Sequence, residues 1–477
     1  MSVSSTRSTA LIAVAALAAR VLLVHFGWHT PLASRIELSS PVDSLARLRE
    51  GAALVGMGMS PYEGSMLHVP PLVLLLFTPF LYVMDTLGAS EAPYASLVRW
   101  APFLVLDAVV AAALFAIAAS VAEAKADAKN AKDTKGRGTE YHAALPGFAA
   151  CAYLLNPMSV ASCVAGSTSA LGTLCAATAT AAACAKNPKP VIAGACLATL
   201  LFVSTDARVP LLLLIPIATL ARDGAAGDAG VRRGTSGESL AADRDDDVEG
   251  RRRARFRAVL GGFFATAFGL GVVSSHAYAN VGVTFAQWTD ATYRFAFLVT
   301  DLTPNLGAHW YLFAEMFSHF RGFFLFVFHA FPVFLSVPVL VRYGGARPIF
   351  AVGIVSALST ALGPYPTWGN VAGYLAFAPM FPRNRAPTEA DGSETERRSN
   401  GTPRIGFAVA AALAVTATLT PIFWHLWIET RVANANFLFA VTLAHFAAQS
   451  ALIVSWIGAA VDRDEASAAS AKKKKAA

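Results

Sequence analysis

Long apolar runs recur from one end of this chain to the other, each fenced from the next by a polar linker. The runs fall at residues 8–26, 98–122, 143–164, 168–185, 190–205, 208–221, 257–278, 322–342, 348–363, 369–382, 405–427 and 435–460. Lipid is the solvent that tolerates so many of them, because a spanning helix needs about 20 apolar residues. Only 14% of the 477 residues are charged, 55% are apolar, and the mean hydropathy is +0.51. A soluble domain carries about 25% charge. The chain is therefore expected to be an all-α polytopic membrane protein with about twelve transmembrane helices. Soluble enzymes, DNA-binding proteins and disordered chains are excluded. Several runs are shorter than a straight span, and Ala and Gly are plentiful in them, which permits close helix packing in lipid.

The basic residues set the topology. Segments 1–7, 123–142, 186–189, 222–257, 342–347, 383–404 and 461–477 hold 29 of the 38 Lys and Arg. The positive-inside rule makes these cytoplasmic, both termini included. The opposite, luminal loops are 27–97, 279–321, 364–368 and 428–434. Residues 71–86 break the parity, being apolar enough to span, so they are expected to dip into the membrane or lie along its luminal surface. An antiparallel pair with 98–122 is the alternative. The chain reads as one multispanning domain, 1–477. Its mixed-charge stretches 222–257 and 383–404 are expected to be flexible cytoplasmic linkers, and 461–477 a cytoplasmic tail. Asp245-Asp246-Asp247 sits among nine basic residues of the first linker and reads as a solvated loop.

Cys151, Cys163, Cys175, Cys184 and Cys196 lie in Ala-rich apolar segments without paired spacing. They read as small buried residues, with no metal, cofactor or disulfide implied. The chain ends in Lys472 to Lys475 followed by two alanines. Lys474 and Lys475 match a dilysine retrieval signal of endoplasmic-reticulum membrane proteins. A basic tail drawn to anionic lipid is the other reading.

Polar and aromatic clusters at the luminal edge carry the functional information. Tyr62 and His68 lie between Ser60-Pro61 and Pro70-Pro71. They suit either a headgroup contact or a structural turn. In LLNPMSVASCVAGSTS, Asn156-Pro157 breaks an apolar helix, and the serines and threonine that follow can satisfy the freed backbone. The densest cluster is DLTPNLGAHWYLFAEMFSHF, 301–320. Asp301 and Asn305 fall in its turn, Trp310 and Tyr311 at interfacial depth. Glu315 and His319, four residues apart, are expected on one helix face as a pair. Asn434 and Asn436 follow in PIFWHLWIETRVANANF. Arg20 and Asp107 are the charges clearly inside expected spans, and Arg20 is able to snorkel. A groove lined by 301–320, 60–72 and 434–437 is the expected binding site for a lipid headgroup. There is no Walker loop, GxSxG elbow or HExxH.

These motifs resemble the PIG-U family, multispanning subunits of the glycosylphosphatidylinositol (GPI) transamidase of the endoplasmic reticulum. The likeness rests on SP…R..EG with Ser40, Pro41, Arg47, Glu50 and Gly51; on SPY.G…H..PL with Ser60 to Leu72; on LLNP…SC…ST at 154–168; on DLTPN.G..WY.FAEMF.HF at 301–320; on YPT at 365–367; and on P..WHLWI…AN.NF at 421–437. These run in the family's order over most of the chain. Where the family pattern continues Val-Gly-Asp, this chain has Trp368-Gly369-Asn370, so no acidic role carries over there. The resemblance implies a bundle like that of the type C glycosyltransferases, with luminal interfacial helices. It implies a non-catalytic subunit in the endoplasmic-reticulum membrane that helps bind the GPI lipid or the attachment signal. Its partners would be the other transamidase subunits, including the cysteine-protease-like catalytic one, and no nucleic acid.

Two rival functions remain at the level of sequence. A dolichol-phosphate-mannose-dependent mannosyltransferase needs a luminal carboxylate, for which Asp43 or Glu50 would serve. A transporter would show internal repeats and more charge in mid-membrane.

Overall fold

The computed structural model describes residues 3–86, 95–130, 138–223, 242–381 and 402–476. Among these there is no strand, and helices account for nearly every ordered element. Six helices are long and apolar enough to cross a membrane: Arg7–His25, Trp100–Ala126, Glu249–Val281, Ser318–Tyr343, Gly406–Glu429 and Ala435–Ala469. A bent pair, Ala144–Leu154 with Pro157–Ala165, makes up to seven. The remaining expected spans are present but short. Pro348–Ala361 has 14 residues and so covers only about 21 Å of a hydrocarbon core of about 30 Å. Nearly all its side chains are buried. Together with Ala170–Cys184, Pro190–Val203 and Arg208–Asp223 it forms the centre of the main core. Long helices carry much of the exposed apolar surface, where Phe268 and Val341 are among the most exposed apolar side chains.

Glycines set the closest approaches. A Cβ on Gly194 would lie 2.1 Å from the carbonyl oxygen of Val259, and one on Gly262 would lie 2.5 Å from that of Val191. The helices Pro190–Val203 and Ala242–His276 therefore touch backbone to backbone, as small residues allow in lipid. Gly369 and Gly373 leave room on helix Trp368–Leu375 for the side chains of Ser169 and Thr173.

The segment expected to dip into the membrane forms helix Pro71–Thr86, which packs on Trp100 and Phe103 in a second core. Helix Ala242–His276 begins inside the stretch read as the first linker; residues 224–241 of that stretch lie outside the described residues, as do 383–401 of the second. For Lys474 and Lys475 the structure describes the backbone alone, inside helix Ala435–Ala476.

Arg20 does not snorkel. It is fully buried, and its Nε donates to Asp107 Oδ2 at 2.9 Å. Its Nη1 donates to the carbonyl oxygens of Leu154, at 2.8 Å, and Ala16, at 3.1 Å. Its Nη2 donates to Ser159 Oγ at 3.1 Å, and the Tyr153 hydroxyl donates to Asp107 Oδ1 at 2.8 Å. The cause is the break at Asn156-Pro157. Asn156 Oδ1 takes the amide of Met158 at 2.9 Å, an N-cap with Pro at the first helical position. The Leu154 carbonyl thereby loses its helical donor, and Arg20 replaces it.

Removing one partner of such a pair strands a buried charge. Arg20→Met is expected to cost about 3–5 kcal/mol, and Arg20→Met with Asp107→Asn distinctly less. Unfolding of the detergent-solubilised chain, followed by loss of monodisperse protein on heating, measures both. A loss in the double variant equal to the sum of the Arg20→Met and Asp107→Asn losses would show that the two charges are not coupled.

Candidate functional site

Two turns and a stacked column of rings bring the 40–69 loop onto the 301–307 turn. Tyr62 is buried, and its hydroxyl donates to the Val69 carbonyl at 3.0 Å, closing the 60–69 turn. His68 lies flat on Phe295, centroids 3.4 Å apart, and Phe295 stacks on Tyr365 at 5.4 Å. His68 Nδ1 meets the Ala291 carbonyl at 2.8 Å; burial holds its pKa below the ordinary imidazole value, so the neutral ring donates there. The Tyr365 hydroxyl donates to the Asp301 carbonyl at 3.0 Å. Arg47 clamps the same turn, reaching Asp301 Oδ2 at 3.0 Å and the Met66 carbonyl at 3.1 Å. Burial raises the Asp301 carboxyl, but the Thr303 hydroxyl and amide and the Arg47 guanidinium outweigh it and hold it below the usual range. Asn305 is buried and folds the turn by accepting the Gly307 amide at 2.7 Å.

Asp43 is the other hub. It is buried, and Oδ1 accepts the Ser40 amide at 2.7 Å and the Ser40 hydroxyl at 2.8 Å, while Oδ2 accepts Thr367 Oγ1 at 3.1 Å. Its backbone carbonyl takes the Thr168 amide at 3.1 Å. Burial pushes the carboxyl up to about 6, with the Ser40 and Thr367 bonds opposing. Thr367 and Asn370 form a capping box on helix Trp368–Leu375.

Behind these hubs lies a cavity of about 530 Å³. Asp43, Thr168, Ser169 and Asn370 line part of it; Asp206, Arg208 and His329 line another; Val203, Phe297, Tyr365 and Phe377 give it apolar and aromatic walls. Arg208 grips Asp206 with Nε and Nη2, both at 2.8 Å, and its Nη1 reaches the His329 carbonyl at 2.9 Å. A separate groove of about 920 Å³ is almost wholly apolar. It runs along helix Thr402–Trp424, with Arg35 and His425 among its few polar residues.

None of the ten residues expected to touch a headgroup lines either space. Tyr62, His68, Asp301 and Asn305 build the frame beside the cavity. Trp310 and Tyr311 form a second cluster instead: Tyr311 stacks on Phe439 at 4.3 Å and bonds Asn436, Trp310 faces Trp427, and Asn434 Oδ1 caps Asn436 N at 3.0 Å. Segments 60–72 and 301–305 thus meet in one place, and 310–311 and 434–436 in another. Glu315 and His319 do not share a helix face. Helix His309–Glu315 ends at Met316, which is extended (φ −82°, ψ 138°), and a new helix starts at Ser318. Both residues are exposed, and His319 leans on Phe320. Arg208, Asp206 and His329 were not singled out from sequence. The signal available was Asp-Ala-Arg between two apolar runs with a histidine inside a third.

The family model described as GPI transamidase subunit PIG-U matches residues 14–445. The chain is similar to the GPI-anchor transamidase component PIGU of Homo sapiens, 28% identical over 474 residues, with 95% of this chain and 94% of that protein covered. The Mus musculus protein of the same name is 29% identical over 477 residues with the same coverage. The GPI transamidase component GAB1 homolog of Schizosaccharomyces pombe is 26% identical over 415 residues, covering 86% of this chain and 82% of that one.

The raised pKa of Asp43 fixes a pH dependence. The folded chain keeps this proton up to about pH 6, whereas the unfolded chain releases it near the ordinary 3.8. Its stabilising contribution is therefore complete below the lower value and is lost as pH rises through the upper one. Asp43→Asn is expected to remove that slope and to exceed the parent in stability above pH 6, by on the order of 3 kcal/mol at most. Thermal unfolding of both chains from pH 4 to 7.5 tests it. An Asn variant weaker than the parent at pH 7 would mean that the ionised carboxylate is what holds the loops.

Proposed function

The chain belongs to the PIG-U family of GPI transamidase subunits, and on that premise we propose that it is a non-catalytic member of the complex. Its task is to hold the GPI lipid, or the attachment signal of the incoming protein, before a cysteine nucleophile supplied by another subunit. The observation that carries this reading is the cavity of about 530 Å³, polar and hydrogen-bonding in parts and aromatic elsewhere. Such lining suits an amphiphile. The nearby apolar groove has the character required by an acyl chain. Against a mannosyltransferase, Asp43 is tied to three donors of its own chain, a brace more than a base. Glu50 is exposed on helix Leu45–Gly56.

The wider setting follows the same reading. The short apolar helices complete a bundle of about twelve passes like that of the type C glycosyltransferases. The basic linkers and tail face the cytoplasm, where Lys474 and Lys475 would retrieve the chain to the endoplasmic reticulum. The frame residues Tyr62, His68, Asp301 and Asn305 keep the cavity in shape, and Trp310 and Tyr311 anchor the Asn434–Asn436 turn. Glu315 and His319 are placed to meet a headgroup or a partner subunit from outside.

Ala207 lines the cavity, so Ala207→Trp should fill it. The complex purified in mild detergent should then keep its subunits and lose most of its co-purified GPI, about tenfold by mass spectrometry. Unchanged GPI content would place the lipid elsewhere. A second measurement addresses the rim: Glu315→Ala with His319→Ala should lower GPI capture severalfold without preventing assembly. Failed assembly would instead make these two residues part of a subunit interface.

A further inference from the structure

We infer that the cavity receives one neutral sugar ring of the bound headgroup, with Ser359 and Asn370 as its hydrogen-bonding partners. This deepens the lipid-binding reading and rests on it. The argument begins with charge. Arg208 is held bidentately by Asp206 and its remaining nitrogen is spent on His329. Arg294 is paired with Asp290 at 3.1 Å. Asp43 is bound by the Ser40 amide, the Ser40 hydroxyl and Thr367. Each charged side chain on the wall thus already faces an opposite charge or its own donors, so an incoming phosphate or amine would have to compete with an existing partner.

What remains is neutral. Ser359 is 6% exposed and lies on the cavity wall, and among the described residues its hydroxyl has no partner. A buried hydroxyl left unmade is costly, and a ligand hydroxyl would satisfy it. Asn370 spends its carbonyl oxygen on the Thr367 amide at 3.0 Å. Its NH2 group takes no part in that bond, and the residue lies on the wall. Phe297 and Tyr365 supply flat apolar faces of the kind that pack against the C–H face of a pyranose. The volume, about 530 Å³, falls within the range of small-molecule sites. Neutral hydroxyls with aromatic planes, and no uncompensated charge, match a hexose ring better than a phosphate.

Saturation-transfer NMR on the full chain in its assembled, detergent-solubilised complex tests this, with methyl α-D-mannopyranoside and methyl α-D-glucopyranoside as neutral probes and glycerol 3-phosphate as the anionic one. Transfer to the ring protons of a glycoside is expected, weakened about three- to tenfold by Ser359→Ala and abolished by the bulkier Ser359→Val. The alanine variant should melt no lower than the parent, since it removes an orphaned hydroxyl. No glycoside signal in the parent, equal signals in all three chains, or stronger transfer to glycerol 3-phosphate would overturn the assignment. Co-purified GPI, measured by mass spectrometry in the same preparations, separates the two readings. Transfer is read on complex shown by that measurement to be free of GPI, since bound GPI would fill the site. No sugar signal there overturns the sugar site and leaves the lipid reading standing, and a sugar signal that added GPI fails to displace supports the site and removes the lipid reading.

Discussion

A broken helix in an apolar interior must find donors for the carbonyls it frees, and here a buried arginine provides them. The break at Asn156-Pro157 bends the chain by 48°, and Arg20 meets the Leu154 carbonyl while neutralised by Asp107. Three separate stretches are thereby fixed to one another: the first helix, the helix carrying Asp107, and the bent pair. The bend has a consequence further along. It delivers Ser162 to Ser169 beside Gly369 and Gly373, whose missing side chains let helix Trp368–Leu375 approach within contact of Ser169 and Thr173. That approach sets Thr367 against Asp43 and Asn370 against the cavity. The polar geometry of the site is thus downstream of one proline and the ion pair that tolerates it.

How much of this was legible depended on whether the information was local. Apolar runs and helix-breaking residues are local signals, so the order and approximate ends of the helices could be read directly. Asn156-Pro157 marked its own break. The count of full crossings could not be read in the same way, because a 14-residue apolar run such as Pro348–Ala361 looks like a short span whether it meets lipid or only protein. Burial decides, and burial is a property of the neighbours. The Glu315–His319 pairing failed for a related reason. The spacing is right for a helix, but nothing in the spacing announces the extended residues Met316 and Phe317 that rotate one away from the other. Arg20 was misjudged because snorkelling is a local solution, whereas its real partners sit at Asp107, Leu154 and Ser159.

The motif clusters were informative about importance and less so about role. Tyr62, His68, Asp301 and Asn305 each use a polar atom on the chain's own backbone or on Arg47. Residues that build a turn and residues that touch a ligand are drawn from the same chemical types, so type alone does not separate them. Unspent hydrogen-bonding capacity on a cavity wall does. By that criterion the proposed sugar site rests on Ser359 and Asn370, one inside a plain apolar run and the other at the departure from the family pattern, and not on the aromatic motif at 301–320.

The state of the charges bears on the proposal that this site holds without reacting. Asp43 is the buried carboxylate of the cavity wall, and its oxygens already accept the Ser40 amide and hydroxyl and the Thr367 hydroxyl. A base must have a lone pair directed at substrate, and a carboxylate engaged in this way gains nothing by leaving its donors. The same bonds tie the 40–43 segment to the Tyr365–Thr367 turn, so any shift of Asp43 toward a ligand would loosen two walls at once. Asn370 shows the complementary solution. An aspartate there could cap the helix equally well through one oxygen, but its second oxygen would put an unpaired charge on the wall. The carboxamide makes the same cap and presents a neutral donor instead, so the position keeps its structural role while the cavity remains suited to an uncharged guest.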